Sequence, residues 1–192
     1  ALRIRDAADG ELQQLWHFVE NLNGGPVEGT YSGYVQPGQV KGAVMSAVIN
    51  EARGILYFNQ SFSGDCQSSN VFRASQMDPG FCGGAQVQAV GEVNRQIHEL
   101  APVINTQSYD YSFGPGLDTM LKVKGEHAYV FAMLEGGSQT GGRNFKLPPG
   151  VSSAEIEVLF ENRFLAAGPG GTFEDTFEHE YSFHIYRFPL DG

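Results

Sequence analysis

The chain lacks several things, and each absence narrows its function. No apolar run approaches the roughly 18 residues that a membrane-spanning helix needs, so no segment reads as a span. Basic residues are scarce: 12 Lys and Arg stand against 22 Asp and Glu, a net charge of −10. That excludes a nucleic-acid binder, which needs clustered cations to displace counterions, and it excludes docking on anionic membrane. There is no phosphate-binding loop, dinucleotide fingerprint, serine elbow, zinc spacing or repeat period. The N-terminal stretch ALRIRDAADGELQQ has no apolar core and is not expected to be a signal peptide. Cysteine is nearly absent. Cys66 and Cys82 lie sixteen apart in a loop rich in Gly, Ser and Asp, with no histidine nearby to complete a metal site. A Cys66–Cys82 disulfide is therefore expected, and with it an extracellular life; in a reducing compartment both thiols would stay free.

What is abundant is glycine, 25 in 192 residues, about twice the usual share of roughly 7%. Aromatics are plentiful too, with 14 Phe, 8 Tyr and one Trp. This composition suits many strands joined by tight turns. The pattern divides near residue 105. In the first half, LWHFVE (15–20) is a short apolar run ending in a carboxylate, followed by a Gly-, Pro- and Asn-rich loop over 21–36. Pro37 then opens a helix, with Val40, Ala43, Val44, Ala47 and Val48 on one face and Gly54 at its stop. ILYFNQSF (55–62) reads as a buried strand, 63–82 as one long loop, and 84–101 as a helix with Val87, Val90, Val93, Ile97 and Leu100 on a stripe, ending before Pro102.

The second half has no helical period. Strand-like runs recur at 117–124, 127–134, 142–147, 154–161, 171–177 and 181–188, separated by turn clusters. Alternation in YSFHIYRF places Tyr181, Phe183, Ile185 and Arg187 on one face and Ser182, His184, Tyr186 and Phe188 on the other. Short strands at such spacing predict an antiparallel sandwich. Two strands with two helices cannot cover both faces of a sheet, so the first 105 residues look like part of something larger.

The order WHFVE, loop, PGQVKGAVMSAVINEARGILYFNQSF, cysteine loop, VNRQIHELAPVIN resembles the last two βα units of a (β/α)₈ glycoside hydrolase of the cellulase-like clan. The tail ENRFLAAGPGGTFEDTFEHEYSFHIYRF is similar to the closing strands of the β-sandwich that follows such barrels. Actinobacterial secreted proteins and minor tail proteins of actinobacterial phages look like carriers of this arrangement. The resemblance implies an α/β plus all-β fold: residues 1–105 as the C-terminal portion of a barrel, and 106–192 as an accessory β-sandwich. It also implies that the rest of the barrel comes from a missing N-terminal part or another chain, because a full barrel needs about 250 residues and eight strands.

The candidate site follows from the resemblance. Active sites of such barrels lie at the C-terminal ends of the strands. Glu20 stands where the nucleophile of a retaining enzyme of that clan ends the seventh strand; the competing reading is a carboxylate hydrogen-bonded to its own loop. Tyr57 and Asn59 share a face near the end of the eighth strand. They are candidates for the barrel mouth, against core packing for Tyr57 and a turn role for Asn59. Trp16 shares a face with Phe18 and Glu20 and is either a sugar-stacking platform or interior packing. No metal is expected: Glu180 and His184 share a strand face without a third ligand, and His179 faces the other way. Glu174 and Asp175, being adjacent, are expected to solvate a strand or turn. No cofactor is expected.

Two functions remain open at this point. One is a fragment of a glycoside hydrolase acting on a cell-surface or extracellular polysaccharide, secreted or on a virion tail. The other is a non-catalytic glycan-binding or structural module, as in phage tails or surface adhesion. Hydrolysis needs an acid as well as a nucleophile, and the second strand offers no carboxylate. The chain alone is therefore expected to be inactive.

Overall fold

A computed structural model describes residues 14–22, 33–62, 64–149, 151, 155–168 and 170–190. The N-terminal stretch read above for a leader and most of the loop after Glu20 lie outside the described residues. The chain resolves into two compact units, Ala1–Arg95 and Gln96–Gly192.

In the first unit β1 (Trp16–Glu20) and β2 (Gly54–Phe58) form a parallel pair, with Trp16 opposite Gly54 and Glu20 opposite Phe58. The connecting helix α1 (Pro37–Ile49) starts at its proline, and the Gln36 backbone N–H donates to the Gln39 side chain at 2.8 Å. Its burial is broader than one stripe: Gly42, Met45 and Ile49 are buried besides Val40, Val44, Ala47 and Val48, whereas Ala43 is exposed. A helix apolar nearly all round is a buried one. β2 stops at Phe58, earlier than the apolar run 55–62 suggests, because Ser61 turns to bridge Ser68. The cysteine loop is not continuous loop. It contains α2 (Val71–Met77), whose cap Asn70 accepts from the Arg73 N–H at 2.8 Å. Seven residues are too few for helical periodicity to stand out.

Helix α3 (Gly84–Ile104) begins in the first unit and ends in the second. It passes through Pro102 rather than stopping before it. Proline in the last turn costs one backbone bond to the preceding turn. The carbonyls beyond it are met from outside, as described below.

The second unit carries β3 (Ser108–Tyr109), β4 (Leu117–Lys124), β5 (His127–Leu134), β6 (Gly141–Lys146), β7 (Glu155–Val158), β8 (Arg163–Ala166), β9 (Thr172–Phe177) and β10 (Phe183–Pro189). Six of them form one antiparallel sheet in the order β3-β4-β5-β10-β7-β8, and β6 pairs with β9 in a separate ribbon. β4 and β5 join through a two-residue turn whose Gly125 takes φ +60°, a conformation that favours glycine. The run 154–161 ends as a strand at Val158, then turns into β8, a strand the sequence reading lacked. Sheet and ribbon share one core: Val130, Ile156, Val158, Tyr186 and Phe188 from the sheet, Phe145, Phe173 and Phe177 from the ribbon. Phe145 and Phe173 stack at 4.6 Å, and Tyr186 meets both rings edge-on at 5.1 Å.

Candidate functional site

The parallel pair sorts its side chains by the two-residue period. Trp16, Phe18 and Glu20 lie on one face with Leu56 and Phe58; His17 and Val19 lie on the other with Ile55 and Tyr57. The second face is the covered one. Val19 is buried, and the Tyr57 hydroxyl donates to Asn94 Oδ1 of α3 at 2.7 Å while its ring meets Phe72 of α2 edge-on. The first face is open: Trp16 is 58% and Phe18 67% exposed. β1 has β2 as its one neighbour among the described residues.

At the C-terminal end of the pair stands half-buried Glu20. Beside it runs a chain of amides. Asn21 Nδ2 donates to Asn59 Oδ1 at 3.4 Å, and Asn59 Nδ2 donates to Asn70 Oδ1 at 2.9 Å. Asn59 Oδ1 also accepts the Phe72 N–H at 3.0 Å. These bonds tie both strand ends to the start of α2, so the Glu20 backbone is anchored on one side. Asn21 is wholly buried, and its Oδ1 has no hydrogen-bond partner among the described residues.

The register thus separates the candidates. Glu20 and Trp16 share a face, but Trp16 sits at the opposite end of the strand, about 13 Å away at ~3.3 Å per residue. Its indole lies over Gly54, where a Cβ would come within 2.5 Å of the ring. Trp16 thus rests on Gly54 at the foot of the strand while remaining largely exposed. Tyr57 points away from Glu20 toward the helices, and burial raises its phenol to about 12 against the smaller opposing pull of the Asn94 bond. Asn59 acts through the backbone and amides it joins. Hydrolysis by a retaining enzyme needs a second carboxylate about 5–5.5 Å from the first, and β2 ends Leu56-Tyr57-Phe58 without one.

The cysteines are joined: Cys66 and Cys82 form a disulfide with Cα atoms 5.7 Å apart. Cys66 is buried with Leu22 and Val71, and its N–H donates to the Tyr34 hydroxyl at 2.6 Å. The bond pins the excursion after β2 beside the strand ends.

The second unit holds a polar cluster in which Glu161 and Arg163, not singled out from the sequence, join Asp175, His184 and Tyr186. Arg163 donates two bonds to the Asp175 carboxylate, at 3.0 and 2.7 Å, and a third to Glu161 at 2.7 Å. Tyr186 donates to Asp175 at 2.9 Å, and His184 Nδ1 lies 2.6 Å from Glu161. Burial pushes the Asp175 and Glu161 carboxyls up, but their hydrogen-bonded and charged neighbours outweigh it, Arg163 first for Asp175 and His184 first for Glu161; both end below the usual carboxylate range. The expectation that Asp175 solvates a turn is corrected. It lies on the strand face of Phe173 and Phe177, two residues either way, and that spacing was legible. His179, by contrast, stacks on Tyr181 at 4.8 Å. Among the described residues no group of three or more His, Cys, Asp or Glu is placed to hold a metal.

No family model matches the chain, and no curated protein matches its sequence. Its fold does have solved relatives. An alpha-amylase from Geobacillus thermoleovorans, solved with acarbose, superposes at TM-score 0.59 and 12% identity, over 93% of this chain and 40% of that one. An Anoxybacillus alpha-amylase gives 0.52 at 12% identity, covering 79% of this chain and 32% of its own. A putative alpha-galactosidase from Bacteroides fragilis gives 0.50 at 11% identity, with 90% and 32% covered. These three are alpha-amylases and a putative alpha-galactosidase. The chain spans 40% or less of each, and at such identities the likeness is one of fold: the chain shares the fold of part of the TIM-barrel glycoside hydrolases.

Proposed function

We propose that the chain is the closing portion of a glycoside-hydrolase barrel together with the β domain that follows it, and that the completed barrel acts on an α-linked glycan outside the cell. The observation that carries this is coverage: the amylase likeness takes in 93% of this chain, through both units, yet only 40% of the amylase. The open face of β1–β2 supports it independently. Trp16 and Phe18 are large, apolar and exposed at the edge of a two-stranded parallel sheet, and parallel strands are ordinarily buried on both faces. Further parallel strands, from the same polypeptide or a partner, are the occupant that fits that edge.

In this reading Glu20 is the carboxylate that this portion brings to the glycan, held at a strand end where barrel sites lie. The acid that protonates the leaving oxygen comes from the completing strands. Taken alone, the chain binds glycan without cleaving it. The disulfide supports an extracellular setting.

The test is reducing-sugar release from maltooligosaccharides by protein carrying the complete barrel. Glu20→Gln should lower kcat on the order of 10³-fold or more, the scale of losing a group that acts in the transition state, at unchanged melting temperature. Full activity in Glu20→Gln returns Glu20 to a loop-anchoring role.

A further inference from the structure

The six-stranded sheet has a second face, away from the ribbon, and one ladder row on it runs Tyr129, Arg187, Glu157, Phe164. Residues directly opposite in a ladder point to the same side. Tyr129, Arg187 and Glu157 line a cavity of about 410 Å³, walled by the end of α3 and by the turn after β7. That size is within the range of small-molecule sites.

Two features of this cavity call for a ligand. Phe160, at the tip of the β7–β8 turn, lines it at 43% exposure, and Phe164 continues the row at 58% exposure. Phe160 also takes φ +65°, a left-handed conformation that bulky residues rarely adopt. Glycine or asparagine would hold that turn more easily, as Asn162 does at φ +50°. An aromatic ring kept outward against its own backbone preference points to use of the ring.

Charge decides the class of ligand. The cavity presents Arg187 in an ion pair with Glu157, and its lining also includes Lys124, bonded to the Pro102 carbonyl, and Glu99: two cations against two anions. A balanced set selects neither an anion nor a cation. It suits a neutral molecule with hydroxyls for the Arg187–Glu157 pair and flat apolar faces for the rings. A sugar has both. We propose that this cavity is a second glycan-binding site, separate from the strand end at Glu20, with Phe160 as a stacking platform in its lining, Phe164 as a second platform beside it on the same row, and Arg187 and Glu157 as hydroxyl partners. It rests on the glycan reading of the protein, but it needs no hydrolysis.

The test uses the full chain, in native gels containing glycogen and in titration calorimetry with maltoheptaose. The wild-type chain should be retarded by glycogen. Phe160→Ala and Phe164→Ala should each weaken maltoheptaose binding about tenfold, the double variant should lose it, and Phe160→Tyr should keep it. Phe62→Ala, an aromatic 53% exposed elsewhere, should change nothing. Circular dichroism confirms that each variant folds. No retardation of the wild-type chain, or retardation unmoved by the double variant, overturns the proposal. Retardation lost in Glu20→Gln but kept in the double variant also overturns it, while leaving the barrel reading intact.

Discussion

Asp175 shows what a single carboxylate does between two core phenylalanines. Its side chain is only 9% exposed, and it is tolerated there because Arg163, Tyr186 and its own following N–H supply bonds. The folded pKa values of Asp175 and Glu161 lie below their unfolded ones. Their contribution to stability is therefore complete above the unfolded values, about 3.9 for Asp and 4.3 for Glu, and is lost as pH falls through the lower folded values. The melting temperature should be level from neutrality to about pH 5 and fall steeply below 4. Asp175→Asn should cost about 1–3 kcal/mol at pH 7, discounted because Arg163 is a third exposed, and should flatten the acid limb. A melt series across pH reads both. At the disulfide, thiol titration of the denatured, unreduced chain should find no free thiol. Cys66→Ser with Cys82→Ser should cost about 3 kcal/mol, the chain-entropy worth of a loop of roughly fifteen residues.

Among the elements, the end of α3 is the one most shaped by its surroundings. The helix has no basic residue in its last turn, where a cation would favour its exposed carbonyls. Strand β4 provides them instead: Lys122 Nζ donates to the Thr106 carbonyl at 2.9 Å and Lys124 Nζ to the Pro102 carbonyl at 3.2 Å. Lys122 is wholly buried in doing so. That clamp holds the turns at and just past Pro102, beyond the stop read from sequence. Lys122→Ala should destabilise the chain by about 3 kcal/mol, through cavity and lost hydrogen bond together, and Lys122→Met by about 1 kcal/mol. Urea denaturation distinguishes them; equal losses would mean that the bond, not packing, matters.

For the molecule as a whole, the division into units falls inside α3, between Arg95 and Gln96, where the sequence pattern places it after residue 105. Leu100 and Val103 are buried, and the two lysine bonds hold the last turns to β4. Residues 96–192 expressed alone should melt cooperatively at a higher temperature than residues 106–192. Trp16 is the only tryptophan, so its fluorescence reports the open face of β1 without interference. In the chain alone it should emit as an exposed indole and be quenched readily by acrylamide. In protein carrying the complete barrel the emission should shift to the blue and the quenching fall; an exposed indole there as well would leave that face without the strands assigned to it.

The sequence by itself determined what depends on local period and composition. β4 and β5 fall where alternation and the Gly125 turn put them, α1 starts at its proline, and the face split of β10 is the one its alternation predicts. Two lone cysteines in one loop were enough to expect their bond. Tertiary structure decided what depends on distant partners. Only the fold brings Arg163 to Asp175 and Lys122 to the end of α3. At the candidate site, the sequence could align Glu20, Trp16, Tyr57 and Asn59 along their own strands. It could not say which face of each strand meets the helices, because pairing register and side are fixed by what packs on the sheet. That is why Tyr57 turned to Asn94, Asn59 became a tie between strand ends, and Glu20 was left on the open side.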